Sequence, residues 1–563
     1  MATAANPAFD PYAEQPAPLW RKHADFLVAA TVFLLTVILT VASFPPYSAA
    51  EFGYVLAVPA IYWAYLKPGF RRYALTVLGA QAVSWTIILG WLHHVTWLGL
   101  FLLGPFVGVW VGVWYLAVWW VIPRIHRRQT SLRIFAIFGL AGLWVFAEWT
   151  RTWLLSGFPW LPLAASQWQR SVVLQIASYT GAGGVSFILV VFNFGFAAYA
   201  HRLFREKQRG LRKRSPEFMV ALLTLMMPTF YLILTETSNQ QRRLFLRLAV
   251  VQPAIPQAVK WDPSQSDMIF NTLGGLTARA AATHPDLILW PEAATPYAVK
   301  GDAAVQSWTE QLVQKCGVPL LMGSVARLHP NTPEEEWQNG AFVVDPKSGL
   351  QSRSYAKQHL VPFGEYVPLR PLLGWLGKFV PLGDGDFQRG QDGLPLVVST
   401  ATDAIAVGSL ICYEDIFPDL ARQEAKSGAE LFAVLTNNAW YGTGGAAYQH
   451  AAHSVLRAVE NRRPFVRCGN NGWSGWIDEF GNIREVMKNE NDTVYFRGTR
   501  TFTLTRDQRW VGRESFYTQH GDWIVWFSVG LAGLAGLAVK TARGPLAEPV
   551  EEEAENAESS RPF

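Results

Sequence analysis

The sequence predicts a molecule in two parts: a multi-span α-helical membrane domain and an α/β sheet domain outside the cytoplasm. Three observations carry this expectation. Hydrophobic residues make up 50% of the 563 and charged residues only 16%, with 25 tryptophans, a balance that places part of the chain in lipid. Before residue 240 the apolar residues gather in runs near the ~20 residues that a spanning helix needs. From about Leu244 to Thr505 short apolar runs alternate with amphipathic stretches instead, as an α/β sheet requires.

The long runs are Phe26–Phe44, Tyr54–Leu66, Tyr73–Leu92, Trp97–Ile122, Ile134–Trp149, Val172–Ala200 and Phe218–Leu234, with an eighth, Trp523–Val539, after the globular part. The second is short and reads as tilted or paired. The first is not a cleavable leader, because it is long, follows a polar, Pro-containing stretch, and is itself followed by more spans.

Lysine and arginine occupy alternate loops. Arg21 and Lys22 precede the first run; Lys67, Arg71 and Arg72 follow the second; Arg124, Arg127, Arg128 and Arg133 follow the fourth; Arg202 to Arg214 follow the sixth. The loops FPPYSAAE and HHV hold none. By the positive-inside rule the N-terminus is cytoplasmic, seven crossings leave the globular part outside, and the eighth returns the chain. The net charge of +5 therefore reports orientation, and no nucleic-acid partner is expected. The expected division is a disordered N-terminus (1–20), a membrane domain of about seven helices (21–240), a catalytic domain (241–506), a C-terminal span (520–541) and an acidic cytoplasmic tail (542–563).

Within the globular part, RLAVVQP, DLILW, PLLMGSVA, GAFVVD, LPLVV, IAVGSLIC, ELFAVLTN and PFVRCG read as strands. Ser264 to Ala282, Ala303 to Cys316 and Ala446 to Asn461 read as helices. The chemistry lies at strand ends, where open α/β sheets place it. VGSLICYED delivers Cys412, DLILWPEAATP presents Glu292 after Pro291, and SYAKQHLVPFGEYVP carries Lys357 and Glu365. Each has an ordinary reading alone: a packed thiol, a solvated acid, a surface lysine. Together they supply a general base, a cation for an oxyanion and a thiol nucleophile. Of the remaining cysteines, Cys316 and Cys468 sit in no motif and read as structural. His450 and His453 lie three apart on one helix without a third ligand, so they too read as structural.

WPE, YAKQHLVPFGEYVP and ICYED, in that order, resemble the Glu, Lys, Cys blocks of the nitrilase (carbon-nitrogen hydrolase) superfamily. LVPFGEYVP within a frame of membrane spans resembles, more narrowly, the bacterial apolipoprotein N-acyltransferases. The resemblance implies a nitrilase-like αββα sandwich, catalytic Glu292, Lys357 and Cys412, and a supporting role for Glu365. Tyr413 and Glu414 match positions that the family uses around its acyl and headgroup sites, and Trp261 is either such a position or an ordinary packing aromatic. It implies a ping-pong acyl transfer through a cysteine thioester, with no metal or organic cofactor. The donor would be a phospholipid such as phosphatidylethanolamine, the acceptor a diacylglyceryl apolipoprotein, and the location the bacterial inner membrane with the catalytic domain in the periplasm. Two departures, Asn438 and Asn471 where the family usually has Asp and Thr, bear on the shape of the pocket.

Leu369 to Leu382 is apolar enough to dip into lipid and reads either as a mobile lid or as a buried helix. Two other classes use parts of the same pattern. A membrane-tethered nitrilase-type amidase would pass the acyl group to water. A transporter would need charged residues inside its spans, and Glu148 and Arg151 are the candidates. The charge pattern makes a direct prediction for the topology: an alkaline phosphatase fusion after Thr505 should be active and one after Arg214 inactive. The opposite pair of results would overturn the orientation.

Overall fold

The computed structural model describes residues 19–205, 215–236, 241–374 and 386–542. Nearly all of the N-terminal stretch and acidic tail expected to be disordered, the basic segment 206–214, and residues 375–385, which include residues 375–382 of the expected lid, lie outside these residues.

The apolar runs form helices, and the helix Trp97–Ile125 continues through Pro105 and Pro123. Five of these, His23–Ser43, Trp97–Ile125, Thr130–Thr150, Ala177–Arg205 and Trp523–Thr541, are long and apolar enough to cross a membrane. Phe70–Ile88 and Pro216–Glu236 accompany them. The second run is not a continuous helix. A 3-10 turn, Ala50–Tyr54, precedes a helix of eight residues, Val58–Tyr65, which at 1.5 Å per residue covers only about 12 Å. The backbone groups freed at the break find a partner in buried Asn193: its side-chain oxygen accepts from Ala57 N–H (2.8 Å) and its amide donates to Gly53 O (3.0 Å). Irregular backbone among membrane helices needs such internal satisfaction. Small residues let the helices approach: a Cβ on Gly142 would stand 2.7 Å from the Ser528 carbonyl, on the helix Trp523–Thr541.

The globular part contains strands β1 (Arg242–Gln252), β2 (Leu287–Trp290), β3 (Leu320–Leu328), β4 (Glu336–Asp345), β5 (Gly349–Ala356), β6 (Leu396–Ser399), β7 (Ala404–Ile411), β8 (Leu431–Thr436), β9 (Phe465–Gly469), β10 (Gly475–Ile477), β11 (Ile483–Val486) and β12 (Gly498–Asp507). They make two six-stranded sheets, ordered β12-β1-β2-β3-β4-β5 and β11-β10-β9-β8-β7-β6. Pairing is parallel from β1 through β3 and from β7 through β9, and antiparallel outside. Leu248, Val250 and Leu289 of one sheet pack against Val407, Leu435 and Val466 of the other. Helices Ser266–Ala281 and Ala303–Cys316 cover the outer face of the first sheet, through Ile269, Leu273, Val305 and Val313. Pro418–Lys426 and Ala446–Asn461 cover the second. The result is four layers, αββα.

Each stretch read as a strand in the sequence holds one. β5, β10, β11 and β12 were not expected, and three of them are sheet edges. Edge strands carry polar residues that weaken the apolar signal, as GLQSRSYA and GTRTFTLTRD do.

The helix Ala446–Asn461 lies between the second sheet and the membrane helices, and every residue of it except Tyr448 is buried. Its apolar side belongs to one core with the membrane helices. Its polar side is satisfied across the junction. Gln449 accepts from the indole N–H groups of Trp91 (3.0 Å) and Trp160 (2.9 Å) and donates to the carbonyls of Pro45 (3.0 Å) and Ile88 (2.9 Å). Gln449→Leu would strand those two indoles, and each buried unpaired donor costs about 1–3 kcal/mol. The melting temperature of the purified protein in detergent should therefore fall; an unchanged value would mean that these bonds do not hold the two units together.

Candidate active site

β7 runs buried to Ile411, and Cys412 then takes a left-handed conformation (φ +51°) before the 3-10 helix Cys412–Ile416. A left-handed non-glycine residue costs about 1–3 kcal/mol and persists only where its surroundings fix it. Here Glu414 does so. Its carboxylate accepts from Ile411 N–H (2.8 Å), the Tyr355 hydroxyl (2.9 Å), Gln358 N–H (2.6 Å) and His359 N–H (3.0 Å). These bonds tie the turn at Cys412 to the segment bearing Lys357. Burial pushes the Glu414 carboxyl up to about 7. From the other side, His450 Nε2 lies 3.0 Å from Cys412 O and 2.7 Å from Asp415 Oδ1, and Asp415 also accepts from Ser454 (2.6 Å) and pairs with Arg467.

Glu292 stands just beyond β2 and Lys357 just beyond β5. Lys357 is 1% exposed, and its ammonium lies 3.3 Å from Glu292 Oε1 and 2.9 Å from Glu365 Oε1. Asn339 on β4 donates to the same two oxygens, at 2.8 and 3.1 Å. Glu365 also accepts from Val361 N–H (2.8 Å), which closes its loop around the lysine. Burial opposes the charge on Glu292, but Lys357 and then Lys260 outweigh it and hold the carboxyl below its ordinary value. Burial likewise works against the Lys357 cation, and Glu365 and Glu292 outweigh it, so its pKa is raised.

The Cys412 thiol is pushed up to about 12, first by burial and then by the charge of Glu292, with Lys357 opposing. Cys412 is therefore a thiol at rest, hydrogen-bonded to the Glu292 carboxylate. The Thr436 side chain and the Asn437 backbone N–H lie against the sulfur, and the Tyr441 side chain reaches it from the block after β8. An N–H and a buried ammonium beside one sulfur can stabilise the oxyanion formed when that sulfur attacks a carbonyl.

The four residues expected at the centre, Glu292, Lys357, Glu365 and Cys412, thus come together. The other three have different surroundings. Trp261 is 50% exposed, with its ring 5.9 Å from Lys260 Nζ. Tyr413 donates to Gly157 O (2.9 Å) in the loop after the helix Thr130–Thr150, so it joins the site to the membrane domain. Glu414 is occupied by the backbone and tyrosine bonds above. His453 accepts from Leu161 N–H (3.1 Å), and the Cys468 thiol faces the carbonyls of Val251 and Leu289 (3.5 and 3.4 Å) across the sandwich. Sequence reasoning missed Asn339 and Lys260. Asn339 lies in a polar strand start without a motif; Lys260 stands in IPQAVKWDP beside Trp261 and matches no motif of its own.

Residues 247–502 match the family model described as carbon-nitrogen hydrolase, in agreement with the four-layer sandwich. The globular part is thus a carbon-nitrogen hydrolase domain carried on membrane helices. Residues 37–195 match the apolipoprotein N-acyltransferase N-terminal domain. The apolipoprotein N-acyltransferase of Geobacter metallireducens is 33% identical over 76% of this chain and 79% of its own length. Those of Rickettsia prowazekii and Chlorobaculum tepidum are 29% and 28% identical, each over 77% of this chain and over 86% and 83% of their own lengths. The chain is a membrane protein and belongs to the apolipoprotein N-acyltransferase family.

Gly323 on β3 lets the backbone at Glu292 approach: a Cβ there would stand 2.5 Å from Pro291 O and 2.7 Å from the Glu292 Cα. Gly323→Ala should displace Glu292 and cost at least about tenfold in kcat, since small misplacements of catalytic groups are expensive. The mutant should remain folded by circular dichroism; undiminished turnover would mean that the backbone at Glu292 tolerates the shift.

Proposed function

We propose that this chain moves an acyl chain from a phospholipid to the α-amine of a diacylglyceryl-cysteine at the N-terminus of an apolipoprotein, through a thioester on Cys412. The observation that carries this reading is the pair of carboxylates sharing the buried Lys357 ammonium beside the Cys412 thiol. Glu292 takes the thiol proton as sulfur attacks the ester carbonyl, and Lys357 with the Asn437 N–H holds the oxyanion. Collapse expels the lysophospholipid alkoxide, which takes the proton from Glu292. The amine then attacks the thioester, gives a proton to Glu292, and leaves as the amide while the thiol is restored.

The membrane domain fits this chemistry. The loop after the helix Thr130–Thr150 bonds three residues around the site: Tyr413 to Gly157 O, His359 Nε2 to Ser156 O (2.9 Å) and Tyr366 to Ser156 Oγ (3.1 Å). The same loop exposes Trp153, Leu154 and Leu155. A site beside lipid spares the ~0.8 kcal/mol per CH₂ that extraction of an acyl chain would require. The basic helix ends support the orientation. The Tyr65, His126 and His201 rings cluster, Tyr65 stacked on His201 and His126 edge-on to both, and Arg133 and Arg202 pair with Glu217, at helix ends other than those that bond the catalytic domain. We assign that end to the cytoplasm, the catalytic domain to the periplasm of the bacterial inner membrane, and phosphatidylethanolamine as the donor.

Incubation with labelled phospholipid, without acceptor, should place a hydroxylamine-labile label on wild-type protein, and addition of a diacylglyceryl lipopeptide should chase it to the peptide. Cys412→Ala and Glu292→Gln should form no adduct, whereas Cys468→Ala should form most of it. Lys357→Met should slow acylation by about 10²- to 10³-fold, the loss expected for one oxyanion donor. Label released only as free fatty acid would mean that water is the acceptor, and an undiminished adduct in Glu292→Gln would remove that residue as the base.

A further inference from the structure

The charges around Cys412 do not balance on Glu292, Lys357 and Glu365 alone. Two carboxylates share one ammonium, and Lys357 lies closer to Glu365 (2.9 Å) than to Glu292 (3.3 Å). The base is thus the less compensated of the pair, although it is only 7% exposed. A second lysine lies on its other side. Lys260 is 2% exposed, and its ammonium donates to the backbone carbonyl of Glu292 at 3.0 Å. Among the described residues this is the only hydrogen-bond acceptor given to its three N–H groups. The titratable groups acting on it are Glu292, beyond β2, and Cys412, beyond β7; the Trp261 ring lies 5.9 Å away.

We propose that Lys260 is a positioning residue of the site: its buried ammonium fixes the backbone of Glu292 and is the second counter-charge that keeps the Glu292 side chain a carboxylate. The proposal rests on the reading of Glu292 as the base. Lys260 then stands beside Glu292 as a second cation after Lys357, and both ammoniums also act on the Cys412 sulfur that gives up its proton to Glu292. Burial lowers the Lys260 ammonium to about 8, with Glu292 and Cys412 opposing, so the cation is still present where the acid limb of a carboxylate base falls.

The sign of the expected effect follows. A nearby cation favours the carboxylate, so its loss raises the pKa of Glu292, and the acid limb of acylation moves to higher pH. The test is the rate of hydroxylamine-labile adduct formation on full-length protein in phosphatidylethanolamine-containing micelles, from acid to mildly alkaline pH. Lys260→Met should move the acid limb upward by about one pH unit, a loss of about tenfold on that limb, and should recover toward the wild-type rate as pH rises. Lys260→Arg, which keeps the charge, should leave the limb in its wild-type position even if the plateau falls. An equal loss at every pH in both variants would show a packing role only and overturn the proposal. No adduct on wild-type protein would instead overturn the assignment of Cys412, and this role with it.

Discussion

The ammonium of Lys357 is the constraint on which the site depends. A lysine that is 1% exposed stays charged because carboxylates surround it, and it in turn is the largest influence holding the buried Glu292 carboxyl ionised. Its partners come from the ends of different strands, with Asn339 donating across both acids. The geometry is thus a joint property of β2, β4, β5 and the loop that closes at Glu365. Breaking one member leaves an uncompensated buried charge, which explains why Glu292 and Glu365 share one cation rather than acting as separate groups.

A second set of bonds connects this arrangement to the lipid-facing half. Glu414 joins the turn at Cys412 to the backbone after Lys357, and Tyr413, its neighbour, reaches Gly157 in the membrane domain. Adjacent residues therefore face opposite directions, one inward to the site and one outward to the loop at the membrane. The left-handed turn at Cys412 makes that division possible, because it turns the chain sharply from the strand into a short helix.

Much of this was legible in the sequence. Apolar runs fixed the helices, and β-branched runs fixed the buried strands, because both signals come from residues packed on all sides. The four central site residues were legible because each follows an apolar strand or stands in a dense turn motif. Edge strands β5 and β12 were not, since their outward residues are polar. Nor was the break before Val58, which depends on Asn193, far away in sequence. The bonds of Tyr413 and Glu414 were not legible either, for a tertiary reason: Glu414 holds the turn at Cys412, and Tyr413 reaches Gly157, far away in sequence. Lys260 was hidden because a lysine reads as solvent-exposed until its surroundings are known.

The outermost helix of the sandwich carries one further implication. Ala446–Asn461 holds Gln449, His450, His453, Arg457 and Glu460, a composition that would suit the wet surface of a water-soluble enzyme, yet all five side chains are buried. Their partners include Trp91, Trp160, Leu161 and Ala182, which belong to the membrane half. Polar character here is a seam between two parts of one molecule. The half that performs chemistry has no complete exterior of its own, because one of its outer helices is buried against the membrane half.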